Sequence, residues 1–245
     1  MVNFPSPTVM IRSENWPIAG TFRISRGAKT EAAVIVAELT SGGVTGRGEC
    51  VPYARYGETP DGVAATLAGF AGRIREGLDR AGLQSALPAG AARNALDCAF
   101  WDLEAKRSDR PVHELARLPP PRPLTTAYTL SLGDPAAMGE AAALAAQRPL
   151  LKVKLGGDGD PERIAAVRQA APRSELIVDA NEAWTPDNLN RNLRACAAAG
   201  VTLVEQPLPA GQDALLGAIQ HPVMICADES VHDRASLASL AGRYD

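Results

Sequence analysis

Four charged residues recur at nearly constant intervals in the second half of this 245-residue chain. Lys154, Asp179, Glu205 and Asp228 are separated by 25, 26 and 23 residues. Each belongs to a short apolar run: LLKVKLGG at 150–157, LIVDAN at 176–181, VTLVEQP at 201–207 and VMICADES at 223–230. Three converging carboxylates repel one another unless a cation joins them, and an all-oxygen donor set favours Mg2+ over zinc. Lys152 and Lys154 flank Val153, so on a strand both lysines face one side and Val153 the other. Two ammonium groups this close are expected to depress each other's pKa, and a lysine tuned to about 7–8 is a competent general base. A carboxylate bound to a metal opposite such a lysine can lose its α-proton, because the metal stabilises the enediolate that forms. Glu182 and Glu229 also lie at strand ends, but their parity directs them away from this group, toward solvent or a supporting role.

Parallel strands are what would bring these residues to one rim. Four or five apolar residues between polar ones is the pattern of a strand buried on both faces. Between the runs, ERIAAVRQAA (162–171) and LNRNLRACAAAG (189–200) carry apolar residues at helical spacing. Strand and helix alternating with this period predict an α/β fold with right-handed crossovers, of the (β/α) TIM-barrel type. In such barrels the chemistry collects at the C-terminal strand ends. LTTAYTLSLG (124–133) is the expected first barrel strand. The proline run PPPRP (119–123) separates this barrel, residues 122–245 with strands one to five, from an α+β domain over residues 1–121.

In that first domain Thr8–Ile11, residues 32–39 and Val44–Cys50 read as strands, with a turn at 41–43. The basic stretch FRISRGAKTE (22–31) reads as a loop. Thr59 and Pro60 suit an N-cap and a first helical position. Helices are expected from Val63 to about Arg80 and over 90–107, the latter with small residues for close packing.

Composition narrows the function classes. With 25 Lys+Arg against 28 Asp+Glu the net charge is −3, which gives nucleic-acid binding no electrostatic support. No apolar run approaches the ~18 residues of a membrane span, and MVNFPSPTVMIR lacks the apolar core of a leader peptide. Cys50, Cys98, Cys196 and Cys226 are scattered, with no CxxC pair. The expectation is a cytoplasmic protein with reduced thiols, a core fed by 46% hydrophobic residues, and no nucleic-acid or membrane partner.

KVK at 152–154, DAN at 179–181, EQP at 205–207 and ADES at 227–230 resemble the enolase superfamily, muconate-lactonizing subgroup. A lysine base with Mg2+ is a known pairing in that superfamily. ISRGAKTEA (24–32), GECVPYARYGET (48–59) and LPAGAARNALDCAFWDLEA (87–105) further resemble bacterial dipeptide epimerases of the L-Ala-D/L-Glu type. The resemblance implies an α+β capping domain, a modified barrel, one Mg2+, a small dipeptide substrate of the peptidoglycan-peptide kind, a homo-oligomer and epimerization at an α-carbon. It implies Lys154 as acid/base on one face, Lys152 as the group that polarises the substrate carboxylate, and Asp179, Glu205 and Asp228 as metal ligands. It also implies Thr129, Arg26 and Lys29 as substrate contacts, the two cations suiting a glutamate side chain. One more interval beyond Asp228 lands at about position 253, so the family's second catalytic lysine, on a sixth strand, is expected past Asp245, and the 245 residues alone are expected to be inactive. A cycloisomerase, an o-succinylbenzoate synthase and an inactive binding subunit remain alternatives.

Overall fold

The computed structural model describes residues 5–245. Residues 1–4, part of the stretch read above for a leader peptide, lie outside the described residues. The chain divides into two compact units. One comprises Met1–Ile18 and Glu31–Pro123, the other Ala19–Thr30 and Leu124–Asp245. The sequence boundary near residue 121 therefore misses one segment, because residues 19–30 cluster with the second unit. No helix among the described residues is long and apolar enough to cross a membrane.

The first sheet has the order β1 (Thr8–Ile24), β2 (Gly27–Ser41), β3 (Val44–Cys50). Strands β1 and β2 are longer than expected, and the 22–31 stretch is mostly strand rather than loop. Its basic residues conceal a period of two: Phe22 and Ile24 are part-buried, whereas Thr21 and Arg23 are exposed. Only a tight turn remains, through Ser25 and Arg26 to Gly27 at φ 149°.

The helices that follow are α1 (Pro60–Gly69), α2 (Ala71–Arg75), α3 (Arg80–Ala86), α4 (Ala91–Ser108) and α5 (Val112–Leu115). The Thr59 hydroxyl caps α1 by accepting from Gly62 N, with Pro60 at the first helical position, as the sequence suggested. The continuous helix expected from Val63 to Arg80 is broken into α1 and α2. Gly69, Gly72 and Gly77 weaken it, and Gly77 leaves the helical region at φ 104°. Strand β3 lies so close on α4 that a Cβ at Gly46 or Gly48 would collide with the helix backbone at Ala99, Leu103 or Ala95. The core of this unit gathers Ile35, Leu39, Leu67, Leu96 and Phe100, all buried.

The second unit holds a five-stranded parallel sheet in sequential order, a partial barrel. Its strands are β4 (Tyr128–Leu130), β5 (Leu150–Lys154), β6 (Glu175–Asp179), β7 (Val201–Glu205) and β8 (Met224–Cys226). Helices α6 (Pro135–Leu144), α7 (Asp160–Ala170) and α8 (Pro186–Ala198) make the first three crossovers. A 3-10 turn over Asp213–Ala218 makes the fourth, and α9 (Arg234–Leu240) follows β8. Leu151, Val153, Val178, Val204 and Ile225 form the buried seam between sheet and helices. The buried Asp160 carboxylate then ties two strand exits together. It accepts from Gly156 N at 3.0 Å and Gly157 N at 2.7 Å, just past β5, and from Trp184 Nε1 at 2.8 Å, just past β6.

Candidate active site

Register alone aligns the reactive row. Lys154 pairs with Asp179, Asp179 with Glu205, and Glu205 with Cys226 across β5 to β8. Parallel strands in this register put their last residues level with one another, so a lysine and two carboxylates reach one edge without help from a loop. Thr129 on β4 pairs with Lys152, two residues deeper.

The side chains then close the row. Lys154, 8% exposed, donates from Nζ to Asp179 Oδ2 at 2.6 Å and to Asn181 Oδ1 at 3.2 Å. Lys152 donates to Glu205 Oε1 at 2.8 Å and reaches Asp179 Oδ2 at 3.1 Å. Both lysines therefore face the same side while Val153 is buried behind them, the alternation read from the sequence. The Phe22 ring lies beneath the Lys154 ammonium, 5.9 Å from Nζ to its centroid.

The electrostatics differ from expectation at Lys152. Burial acts against its charge, but the bond to Glu205 and the nearby Asp179 carboxylate outweigh it, so its pKa is raised and not depressed. The expectation weighed one ammonium against the other and left out the carboxylates that separate them. Asp179 is fully buried, and burial opposes its charge, yet the hydrogen bond and charge of Lys154, aided by Lys152, hold its pKa below the usual value. Glu205 is raised, first by burial and then by Asp179 and Asp228 against the opposing Lys152. Asp228 is raised too, by burial and by the charges of Glu229 and Asp179.

Asp228 is placed by a different device. Strand β8 ends at Cys226, and Asp228 follows in the loop. The buried Gln206 side chain fixes that loop: its Oε1 accepts from Asp228 N at 2.9 Å and from Ser230 N at 3.1 Å. Its Nε2 donates to Leu208 O, Ser230 Oγ and Tyr244 OH. Among the described residues the Asp228 carboxylate has no hydrogen-bond or ion-pair partner. Nor, among those residues, do three His, Cys, Asp or Glu side chains close on one point as a ready cage for an ion. Lys152 holds Asp179 and Glu205 in its place.

Arg26 reaches the same edge. It donates from NH1 to Asn181 O at 2.8 Å and Glu182 Oε2 at 3.1 Å, and from NH2 to Glu229 Oε1 at 2.7 Å. Of the two expectations for Glu229, solvent exposure fails and a supporting role fits: it is 3% exposed and ion-paired. The turn is also not the plain cationic surface that Arg26 and Lys29 suggest, because two carboxylates meet the Arg26 charge. Lys29 lies on β2 and is exposed. Asn181 and Gln206 are residues for which the sequence reading gave no role. Their signal was present, a polar amide directly or nearly after a strand-end carboxylate, in DAN and EQP.

Two family models match. Residues 6–116 match the mandelate racemase / muconate lactonizing enzyme N-terminal domain, and residues 137–243 match the enolase C-terminal domain-like family. The L-Ala-D/L-Glu epimerase of Escherichia coli is 45% identical over 240 residues, covering 97% of this chain and 75% of that protein. A crystal structure of an enolase family member from Agrobacterium tumefaciens with homology to dipeptide epimerases, with bound sodium and L-Ala-L-Glu, is 50% identical. It superposes with a TM-score of 0.95 over 98% of this chain and 73% of its own. A dipeptide epimerase from Enterococcus faecalis complexed with Mg and L-Leu-L-Tyr is 28% identical, with a TM-score of 0.88 over 98% of this chain and 73% of its own.

Proposed function

The chain belongs to the mandelate racemase / muconate lactonizing enzyme branch of the enolase superfamily, with L-Ala-D/L-Glu epimerases among its relatives, and from that membership we propose that it serves the Mg2+-dependent epimerization of an L-Ala-D/L-Glu-type dipeptide. One observation carries the reading: Lys152 and Lys154 both meet the buried Asp179 at the level end of β5 and β6, with Glu205 and Asp228 beside them.

Mg2+ fits the residues present. The donors are all carboxylate oxygens, two of the three are pushed toward protonation by burial and then by neighbouring carboxylates, and Asp228 has no protein partner among the described residues. In this reading Asp179, Glu205 and Asp228 would hold the ion, whose charge favours the substrate carboxylate as it gains negative charge.

The remaining work falls to the chain's own groups. Lys154 Nζ takes the α-proton on one face as the Cα–H bond breaks, and the electron pair is delocalised into the carboxylate. Its ammonium form, bonded to Asp179 and Asn181, returns a proton to the same face. Lys152 is placed to neutralise a carboxylate oxygen of the substrate. Inversion needs a proton carrier on each face, and Lys154 accounts for one. Thr129, two residues below this row, contacts the substrate, and Arg26 and Lys29 suit a glutamate side chain. Arg26 does so only in competition with Glu182 and Glu229.

Exchange of the α-proton of L-Ala-L-Glu and L-Ala-D-Glu in D2O, followed by NMR with and without Mg2+, tests the reading. Mg2+-dependent exchange is expected from the isomer whose α-proton faces Lys154, which needs a proton carrier on one face only, whereas inversion needs one on each. Binding without exchange from either isomer would count against the reading and favour a binding role. Turnover confined to a cycloisomerase or o-succinylbenzoate synthase substrate would move the chain to another reaction of the same branch.

A further inference from the structure

We infer that Asn181 and Glu229 are positioning residues that join the Ser25–Arg26 turn to the Lys154 ammonium, so that docking of the turn and seating of the lysine are one hydrogen-bonded event. The part concerning Lys154 rests on the proton-carrying role proposed above; the part concerning the turn does not.

Asn181 is 5% exposed, and its polar groups are spent on these two tasks. Its carbonyl accepts from Ser25 Oγ at 3.0 Å and from Arg26 NH1 at 2.8 Å, which fastens the turn. Its N–H donates to Asp179 Oδ1 at 2.9 Å, and its Oδ1 accepts from Lys154 Nζ, which seats the lysine. Its Nδ2 donates to Glu229 Oε1 at 3.3 Å, the oxygen that Arg26 also holds. A side-chain amide can accept from an ammonium and donate to a carboxylate at once. Asp lacks the donor, and Leu lacks both. The backbone conformation points the same way. Asn181 and Glu182 stand at φ 45° and 68°, a region that side chains other than glycine avoid unless the surroundings impose it.

Glu229 supplies the driving force for docking. Its carboxylate is buried, and Oε2 has no partner among the described residues. Oε1 is met by Arg26 and Asn181. If the turn lifts, Arg26 leaves a buried carboxylate with one weak amide donor, which is unfavourable. The turn is thus held down by a charge that tolerates no other state well. When it is held down, Asn181 is fixed with its Oδ1 on Lys154.

Trypsin reads the turn directly, because Arg26 must leave both carboxylates to enter the protease pocket. With the 245-residue chain, the rate of cleavage after Arg26 is compared with that after Arg168, whose guanidinium is bonded to the carbonyls of Ala171, Ser174 and Ala199. Proteolysis of a transiently opened segment follows its open population, so Glu229→Gln should speed cleavage after Arg26 by about tenfold and leave Arg168 protected. Asn181→Leu should act in the same direction, and a variant that merely unfolds would expose both sites. Unchanged cleavage after Arg26 in both variants overturns the inference. In the D2O experiment Asn181→Leu should lower kcat for the isomer served by Lys154 with little change in KM, whereas general damage to the site would raise KM as well. No exchange in the unsubstituted chain would remove the proposed reaction while leaving the proteolysis result to stand or fall alone.

Discussion

Lys154 and Asp213 carry two separable kinds of consequence. Replacing Lys154 by Ala removes the proton carrier from one face, so exchange from one stereoisomer should fall by roughly a hundred- to ten-thousand-fold while its epimer is less affected. Stereospecific deuterium incorporation checks this. Asp213 belongs instead to stability. It is buried, which alone would raise its pKa, but it accepts from Ser230 Oγ and Tyr244 OH at 2.7 Å and from Arg243 NH1 at 2.9 Å, and these hold it below the usual value. A depressed carboxylate contributes stability above its unfolded pKa of about 3.9 and loses it as pH falls through the folded value. Asp213→Asn should therefore lower stability at neutral pH and flatten the acid limb of a denaturant-midpoint profile. Lys152, Lys154, Asp179, Glu205 and Asp228 were legible as a group because one interval separates most of them. The partners that fix them left a fainter mark: Asn181 and Gln206 stand just after strand-end carboxylates, but the contacts they make across strands and loops have no periodic trace in local sequence.

Elements were legible where periodicity was clean. The small residues of α4 announced close packing, and Gly46 and Gly48 on β3 are its other half. Gly48→Ala would drive a methyl group into the Ala95 carbonyl, a backbone atom that cannot swing aside. An overpacking loss of about 1–3 kcal/mol or more is expected, readable as a lower urea midpoint. Periodicity failed in two other places. Charge masked the strand alternation at Thr21–Ile24, and glycines divided a stretch whose apolar spacing reads as one helix. In the parallel sheet the strands emerged nearly at their expected ends, since a strand buried on both faces must be apolar throughout. Strands β4 and β8 are the exceptions, shorter than their runs: among the described residues each has a strand partner on one side only.

For the molecule as a whole, the proposed ion should act on stability as well as on chemistry. A ligand that binds only the folded chain adds about 2.7 kcal/mol at a hundred times its Kd. Mg2+ should therefore raise Tm, a chelator should reverse the shift, and Asp228→Asn should blunt it. A Tm indifferent to both additions would speak against a divalent site. One feature of the backbone bears on how such a protein changes under selection. Asn181, Glu182 and Gln206 all follow the ends of β6 and β7 at positive φ, where glycine would sit without strain and other residues lose about 1–3 kcal/mol each. Glycine would relieve that strain but would strip the buried hydrogen bonds that the Asn181 and Gln206 side chains make, so the groups that hold Asp228 and Lys154 in place also resist removal under selection for heat resistance.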